Sequence, residues 1–531
     1  MGQYFLMNRR TFLAAAAAAQ TRSAAPFELD EVSLTDLAAG LQQGRWTSRR
    51  LLDLYRARID AVDRNGPRLG AVIELNPDAE ALADQLDRET RQHHVRGPLH
   101  GIPILLKDNI DTADRMSTSA GSLALDGWHP PQDSFVAARL RAAGALIMGK
   151  TNLSEWANFR STHSVSGWSG RGGQTRNPYA LHRNPSGSSS GSGAAVAACL
   201  CAAAMGTETD GSVVSPASIN GIVGVKPTLG LISRTGIIPI SHSQDTAGPM
   251  ARTVRDAALL LSALSGVDPA VSAITASMGT TGGKAQPDYT KFLDASGLHG
   301  ARLGIARKFF DKNAPVDAFL NRCVDVLKRS GAEIVDAADL PSHGKWNDVE
   351  MEVLLYEFKA DLNGYLSKLP SSRQPRSLAG LIDFNERNRA REMPYFDQEI
   401  FQQAEAKGPL TEKKYLDARK LCLQLTRTEG IDAVIDKYKL DAIVTLTSGP
   451  AWMIDWVNGD TDTGGCSSPP AIAGYPHITV PAGLFRGLPV GLSFFGKAWS
   501  EAALFRLAYA FESVTKARQK PKFLAGVEQV S

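Results

Sequence analysis

Three segments of this 531-residue chain carry side chains suited to acyl chemistry. An apolar run, Leu99-His100-Gly101-Ile102-Pro103-Ile104-Leu105-Leu106, ends in Lys107-Asp108-Asn109. Further on come Pro185-Ser186-Gly187-Ser188-Ser189-Ser190-Gly191-Ser192-Gly193 and then Gly206-Thr207-Glu208-Thr209-Asp210-Gly211-Ser212. A serine hydroxyl is a poor nucleophile unless a base takes its proton as it attacks. Lysine is such a base only when neutral; free lysine titrates at about 10.4, so lowering it by three units costs roughly 4 kcal/mol. Burial at the end of an apolar strand supplies an effect of that size. Taken singly, the same residues say less. Serines in glycine-rich loops mostly make turns, and Lys107 has the alternatives of snorkelling to solvent or pairing with Asp108.

The elements around them must hold these groups together. The run ending at Lys107 suits a buried strand whose carboxyl end reaches an active-site edge. Apolar residues recur at helical spacing from Leu34 to Arg58, with Thr47-Ser48 as the N-cap of a second helix. Phe135 to Ala143 reads as helix and Ala145 to Met148 as strand, and this alternation predicts an α/β fold. Between Asn177 and Thr235 glycine, serine and alanine dominate, which lets elements approach closely. A flexible linker is rejected, because Ala194 to Met205 reads as helix then strand and Ile222-Val223-Gly224-Val225-Lys226-Pro227 continues the pattern. A loop is expected from Asp268 to Pro287. Residues 340–415 are expected to form helical excursions over the core, where substrate selectivity would reside. With no Pro/Ser-rich linker and no internal repeat, one large domain is expected.

In this order the segments resemble the amidase signature family. The resemblance also takes in Gly149-Lys150-Thr151-Asn152-Leu153-Ser154-Glu155, Gly224-Val225-Lys226-Pro227-Thr228, Asp245-Thr246-Ala247-Gly248-Pro249 and the stretch from Ala473-Gly474-Tyr475-Pro476 to Gly491. It implies a single large α/β domain over residues 26–525, with a twisted mixed central β-sheet covered by helices. Residue by residue, it implies that Lys107 is the base, Ser188 the relay serine and Ser212 the nucleophile. No histidine has a matching place; serine–lysine pairs are a known variant of the histidine-based triad. The implied activity is hydrolysis of carboxamide C–N bonds through an acyl-serine intermediate, with no cofactor and no metal.

The resemblance further implies an oxyanion hole made of backbone N–H groups at Thr209, Asp210, Gly211 and Ser212. Here the chain departs from the commonest family pattern, Gly-Thr-Asp-x-Gly-Gly-Ser, having Glu208 for the aspartate and Asp210 for the first glycine. Two roles stay open for Asp210: binding substrate by accepting a hydrogen bond from the leaving amide, or pairing with an arginine such as Arg234. Asp245 is expected to stabilise a loop. The turn, together with Ser233-Arg234-Thr235-Gly236-Ile237-Ile238-Pro239, resembles the peptide amidase branch, which implies release of ammonia from C-terminal peptide amides. The alternatives are a broad aliphatic or aryl amidase and a glutamine-hydrolysing amidotransferase subunit. The intact lysine and serines argue against a non-catalytic binding protein. Trp168, Trp452 and Trp456 are candidates for lining the acyl side.

Composition narrows the partners. A net charge of +3 with interspersed signs gives no basic stripe and no block of like charge, so neither nucleic acid nor a membrane surface is indicated. The expected partner is a small-molecule or peptide amide, without stable membrane insertion. Cys199, Cys201, Cys323, Cys422 and Cys466 are odd in number and lack zinc-site spacing, so core packing is expected for most, with Cys466 in a loop-like stretch that could be exposed. Residues 1–25 read as a twin-arginine export signal: Asn8-Arg9-Arg10-Thr11-Phe12-Leu13, then alanines, then Ser23-Ala24-Ala25. Its apolar stretch is too short to span a bilayer, which takes about 20 residues. The alternative is a disordered alanine-rich tail, and Met7 is a possible start. The signal implies an exported, periplasmic enzyme with a mature chain beginning near Pro26, which argues against the amidotransferase.

Overall fold

A computed structural model describes residues 27–268, 284–310, 314–336, 338–373 and 375–527. The expected export signal, and residues 269–283 of the expected loop, lie outside the described residues. The chain divides into a short unit, Met1–Asp30, and one large unit, Glu31–Ser531. The large unit is built on a mixed sheet.

Its strands are β1 (Val72–Leu75), β2 (Pro103–Lys107), β3 (Leu146–Thr151), β6 (Ala203–Glu208), β7 (Val223–Lys226), β8 (Thr246–Ala251), β9 (Arg302–Ile305), β10 (Glu333–Val335), β11 (Ala442–Leu446), β12 (His477–Phe485) and β13 (Leu488–Phe495). A separate small hairpin pairs β4 (Trp168–Ser169) with β5 (Gly173–Gln174). The eleven strands lie in the order β1-β3-β2-β6-β8-β7-β12-β13-β11-β9-β10. Pairing is parallel within β3-β2-β6 and β11-β9-β10 and antiparallel between them. Strands β2, β3 and β6 are buried along their whole length. Strands covered on both faces read as continuous apolar runs rather than alternating ones, which is why Pro103 to Leu106 shows no period of two. Because β2 and β6 run parallel with Leu106 opposite Met205, their carboxyl ends bring Lys107 and Thr207 to the same edge.

The helices fall close to where sequence places them. Ser48–Arg58 starts from Thr47, whose side chain accepts the Arg50 N–H. Phe135–Ala142 starts from Ser134 in the same way. The glycine-rich segment yields the helix Ser190–Ala197, buried at every residue. A Cβ on Gly191 would lie 2.4 Å from the carbonyl oxygens of Ala71 and Asn152, so only glycine lets this helix dock so near the ends of β1 and β3. Residues 340–415 are largely helical, as expected, and include Asn347–Leu366, Leu378–Arg387 and Glu399–Glu405. They close over an apolar cluster in which Phe358, Leu362, Leu378 and Phe401 pack with Trp156 and Phe159.

Cys466 lies in a loop, as expected, but is wholly buried and not exposed. Gly465 bridges Ser448 and the Cys466 N–H donates to the Thr447 carbonyl, so the stretch is pinned to the end of β11. All five cysteines are free and buried. Among the described residues no helix is long and apolar enough to cross a membrane.

Candidate active site

Lys107 is wholly buried at the end of β2. Its Nζ lies 2.7 Å from Ser188 Oγ, 2.8 Å from Thr207 Oγ1 and 3.2 Å from the Thr207 carbonyl oxygen. Asp108, the salt-bridge alternative, turns elsewhere: it accepts from the Ser119 hydroxyl and the Gly121 N–H and lies 3.6 Å from Arg171. With no carboxylate among the described residues bonded to it, Lys107 feels burial most, and its pKa falls to about 7 against the opposing charges of Asp245 and Glu208. Near neutral pH a large fraction of this amine therefore carries a lone pair able to accept a serine proton. Thr207 and Asn109, whose Nδ2 donates to Thr207 Oγ1 at 3.0 Å, complete the lysine's surroundings. Neither was singled out from sequence.

Ser188 follows a cis Gly187–Ser188 peptide and is wholly buried. The next residue ties it to the second serine. The Ser189 N–H donates to the Ser212 carbonyl at 3.1 Å, and Ser189 Oγ both accepts the Thr207 N–H (3.2 Å) and donates to the Thr207 carbonyl (3.1 Å). Lys107, Ser188 and Ser212 are thus gathered at one edge of the sheet. Ser212 is 8% exposed, and its hydroxyl has no hydrogen-bond partner among the described residues. The Ser188 and Ser212 hydroxyls are not hydrogen-bonded to each other; catalytic contacts of this kind commonly tighten only around substrate.

The turn before Ser212 is shaped by Gly211, at φ +78°, where a Cβ would lie 2.8 Å from Ser467 Oγ. A side chain there is excluded on both counts. The N–H groups of Asp210, Gly211 and Ser212 have no acceptor among the described residues, which leaves them available to an anion. Glu208 explains itself: Oε2 accepts the N–H groups of Val213 (2.8 Å) and Val214 (3.0 Å), satisfying donors at the start of the helix Val214–Ile219.

Asp210 does not pair with Arg234. Its Oδ2 accepts from Ser468 Oγ at 2.6 Å, its carboxyl is also hydrogen-bonded to Glu350, and Oδ1 is buried with no other donor among the described residues. Burial raises the Asp210 pKa against the hydrogen bonds of Ser467 and Ser468. Arg234 instead borders a cavity of about 490 Å³ with Asp245, Asp361, Tyr365 and Lys368. Asp245 stabilises its loop as expected, accepting the N–H groups of Ile240 (2.8 Å) and Ser241 (2.9 Å). It also accepts from Thr209 Oγ1 at 2.6 Å, which anchors the turn from the other side.

The three tryptophans suggested for the acyl side each have packing or hydrogen-bond contacts of their own. Trp168 packs edge-on against Tyr395 and Phe396, Trp452 Nε1 donates to Asp460 at 3.0 Å, and Trp456 stacks on Tyr395. A potential metal-ligating trio, His242, Glu357 and Asp361, brings its ligand atoms within 4.8 Å of one another. Its carboxylates already accept from Ser241 Oγ, Tyr415 OH and the N–H groups of His242 and Ser243. Burial lowers the His242 pKa, but Asp361 and Glu357 outweigh it and raise it overall, which favours a charged His242 paired with the two carboxylates.

Compared with known proteins, residues 50–505 match the family model described as Amidase. The chain is 42% identical over 529 residues to a probable amidase of Arabidopsis thaliana, covering 98% of this chain and 97% of that one. The structure of native peptide amidase from Stenotrophomonas maltophilia superposes with a TM-score of 0.89 at 50% identity, covering 94% of this chain and 100% of the other. A glutamyl-tRNA(Gln) amidotransferase subunit from Roseiflexus is 32% identical over 92% of this chain and 97% of its own length.

Proposed function

The chain belongs to the amidase family of amide-hydrolysing enzymes, and we propose that it releases ammonia from primary amides, C-terminal peptide amides above all, through an acyl-Ser212 intermediate. Ser212 Oγ attacks the amide carbonyl carbon while its proton passes to Ser188 Oγ and the Ser188 proton passes to Lys107 Nζ. The relay reverses to protonate the departing nitrogen, which leaves as ammonia. Water then attacks the acyl-Ser212 ester, its proton following the same path, and the carboxylic acid departs. The oxyanion of each tetrahedral intermediate faces the N–H groups of Thr209, Asp210, Gly211 and Ser212, donors of a kind worth about 3–4 kcal/mol apiece.

The observation that carries this reading is the 2.7 Å contact of a wholly buried Lys107 with Ser188 Oγ. In its favour for substrate class stands the 50% identity to a peptide amidase. A second reading, glutamine hydrolysis for an amidotransferase, draws on the 32% identity to a protein of that kind. Ammonia release from amidated peptides, amino-acid amides, aryl amides and glutamine separates the readings. Amidated peptides should lead the panel, and Ser212→Ala should abolish both turnover and labelling by a serine-directed fluorophosphonate. A lead by aryl amides or glutamine, or labelling at another serine, overturns the proposal.

A further inference from the structure

Beyond the residues that would touch substrate, the long helix Asn347–Leu366 reaches the turn that carries Ser212. Glu350, in the first turn of that helix, is 7% exposed. It accepts from Gln244 Nε2 at 2.8 Å, and the same Nε2 donates to the Thr209 carbonyl at 3.3 Å. The Glu350 carboxyl is also hydrogen-bonded to Asp210. Two carboxyls can share such a bond only if one of them holds a proton. Burial, and then the charge of Asp210, keep Glu350 as the acid that donates.

The turn from Thr209 to Ser212 is therefore gripped at two successive residues by one side chain, at the Asp210 carboxylate directly and at the Thr209 carbonyl through Gln244. A neutral acid buried against a carboxylate is a poor device for stability, since an apolar side chain of similar size has no desolvation cost to offset. Its geometric effect is clearer: fixing the 209 carbonyl and the 210 side chain fixes the peptide planes whose N–H groups point toward the site.

We propose that Glu350 is a positioning residue for the amidase reaction, holding the oxyanion turn through Asp210 and through the Gln244 bridge to Thr209. This rests on the reading of Ser212 as nucleophile. Glu350→Gln can still donate to Asp210 and accept from Gln244, so its kcat should stay within about threefold of wild type. Glu350→Leu breaks both links; small misplacement of catalytic groups costs up to roughly a hundredfold, so kcat should fall about ten- to a hundredfold with KM unchanged. The rate at which a fluorophosphonate phosphonylates Ser212 should fall by a similar factor, because that reaction uses the same donors.

Gln244→Leu, cutting the bridge from its other end, should lower kcat in the same direction, and it decides the matter if Glu350→Leu does not fold. Unchanged kcat in the leucine variants, an equal loss in Glu350→Gln and Glu350→Leu, or a rise in KM alone overturns the proposal. Failure of the underlying reading looks different: Ser212→Ala would remain active or would be labelled at another serine.

Discussion

Replacing Lys107 by methionine tests base and burial together. Methionine matches the length of the side chain but neither titrates nor accepts a proton. Burial moves the Lys107 pKa from 10.5 to about 7. At 1.36 kcal/mol per unit this is about 5 kcal/mol of disfavour for the charged form in the folded chain. The unfolded chain keeps the proton up to pH about 10.5, the folded one only to about 7, so the unfolded state binds more protons in between and stability rises with pH across that window. The penalty is complete below pH 7 and gone above 10.5. Hydrogen bonds lost with the amine shift the methionine variant by a constant, but its stability relative to wild type should still fall by about 3 kcal/mol between pH 6 and pH 9. Lys226, with a pKa lowered to about 8, titrates in both proteins and largely cancels in the difference, whereas Asp245, raised to about 6, feels the Lys107 charge and shifts when it is removed, which acts chiefly at the lower end of the range. Urea unfolding of the two proteins at those pH values measures it. In parallel, wild-type kcat/KM should rise with pH through an apparent pKa of about 7, and Lys107→Met should lose roughly 10²–10⁴-fold in kcat. A stability difference independent of pH, together with a flat kcat/KM profile from about pH 5.5 to 8.5, would refute a neutral buried lysine as the base.

If the Asp210 carboxylate accepts from the substrate NH2, Asp210→Asn should keep most activity on primary amides, because the Asn carbonyl still accepts. Asp210→Gly should lower the preference for primary over N-methyl amides by roughly ten- to a hundredfold, the worth of one hydrogen bond to a charged group; a constant ratio with a lowered Tm would make Asp210 structural only. The twin-arginine signal proposed for residues 1–25 should carry a folded reporter fused after residue 30 to the periplasm, and replacing Arg9 and Arg10 by lysine should stop it; cytoplasmic retention of the unaltered fusion removes the proposal.

Much of the site was legible because its determinants are local. A run such as Pro103 to Leu106 has only one comfortable environment, a strand covered on both faces, and its polar end must then lie at an edge. Gly191 and Gly211 mark places where a Cβ would strike neighbouring atoms, and a glycine-rich stretch announces such close approach before any neighbour is known. The N-caps Thr47 and Ser134 act within three residues of themselves.

What only the tertiary structure decided are the partners brought from afar. Two carboxylates beside the nucleophile were visible in the sequence, but not that Glu208 would satisfy the N–H groups of Val213 and Val214, nor that Asp210 would meet Ser468 and Glu350 instead of Arg234. Thr207 reaches Lys107 only because β2 and β6 are parallel neighbours in register, and Cys466 is buried only because its loop is pinned beside Thr447. Backbone preference and the burial of an apolar run are set by residues a few positions away. A hydrogen bond between side chains hundreds of residues apart depends on the path of the whole chain, and many acceptors of equal chemistry compete for each donor until the fold selects one.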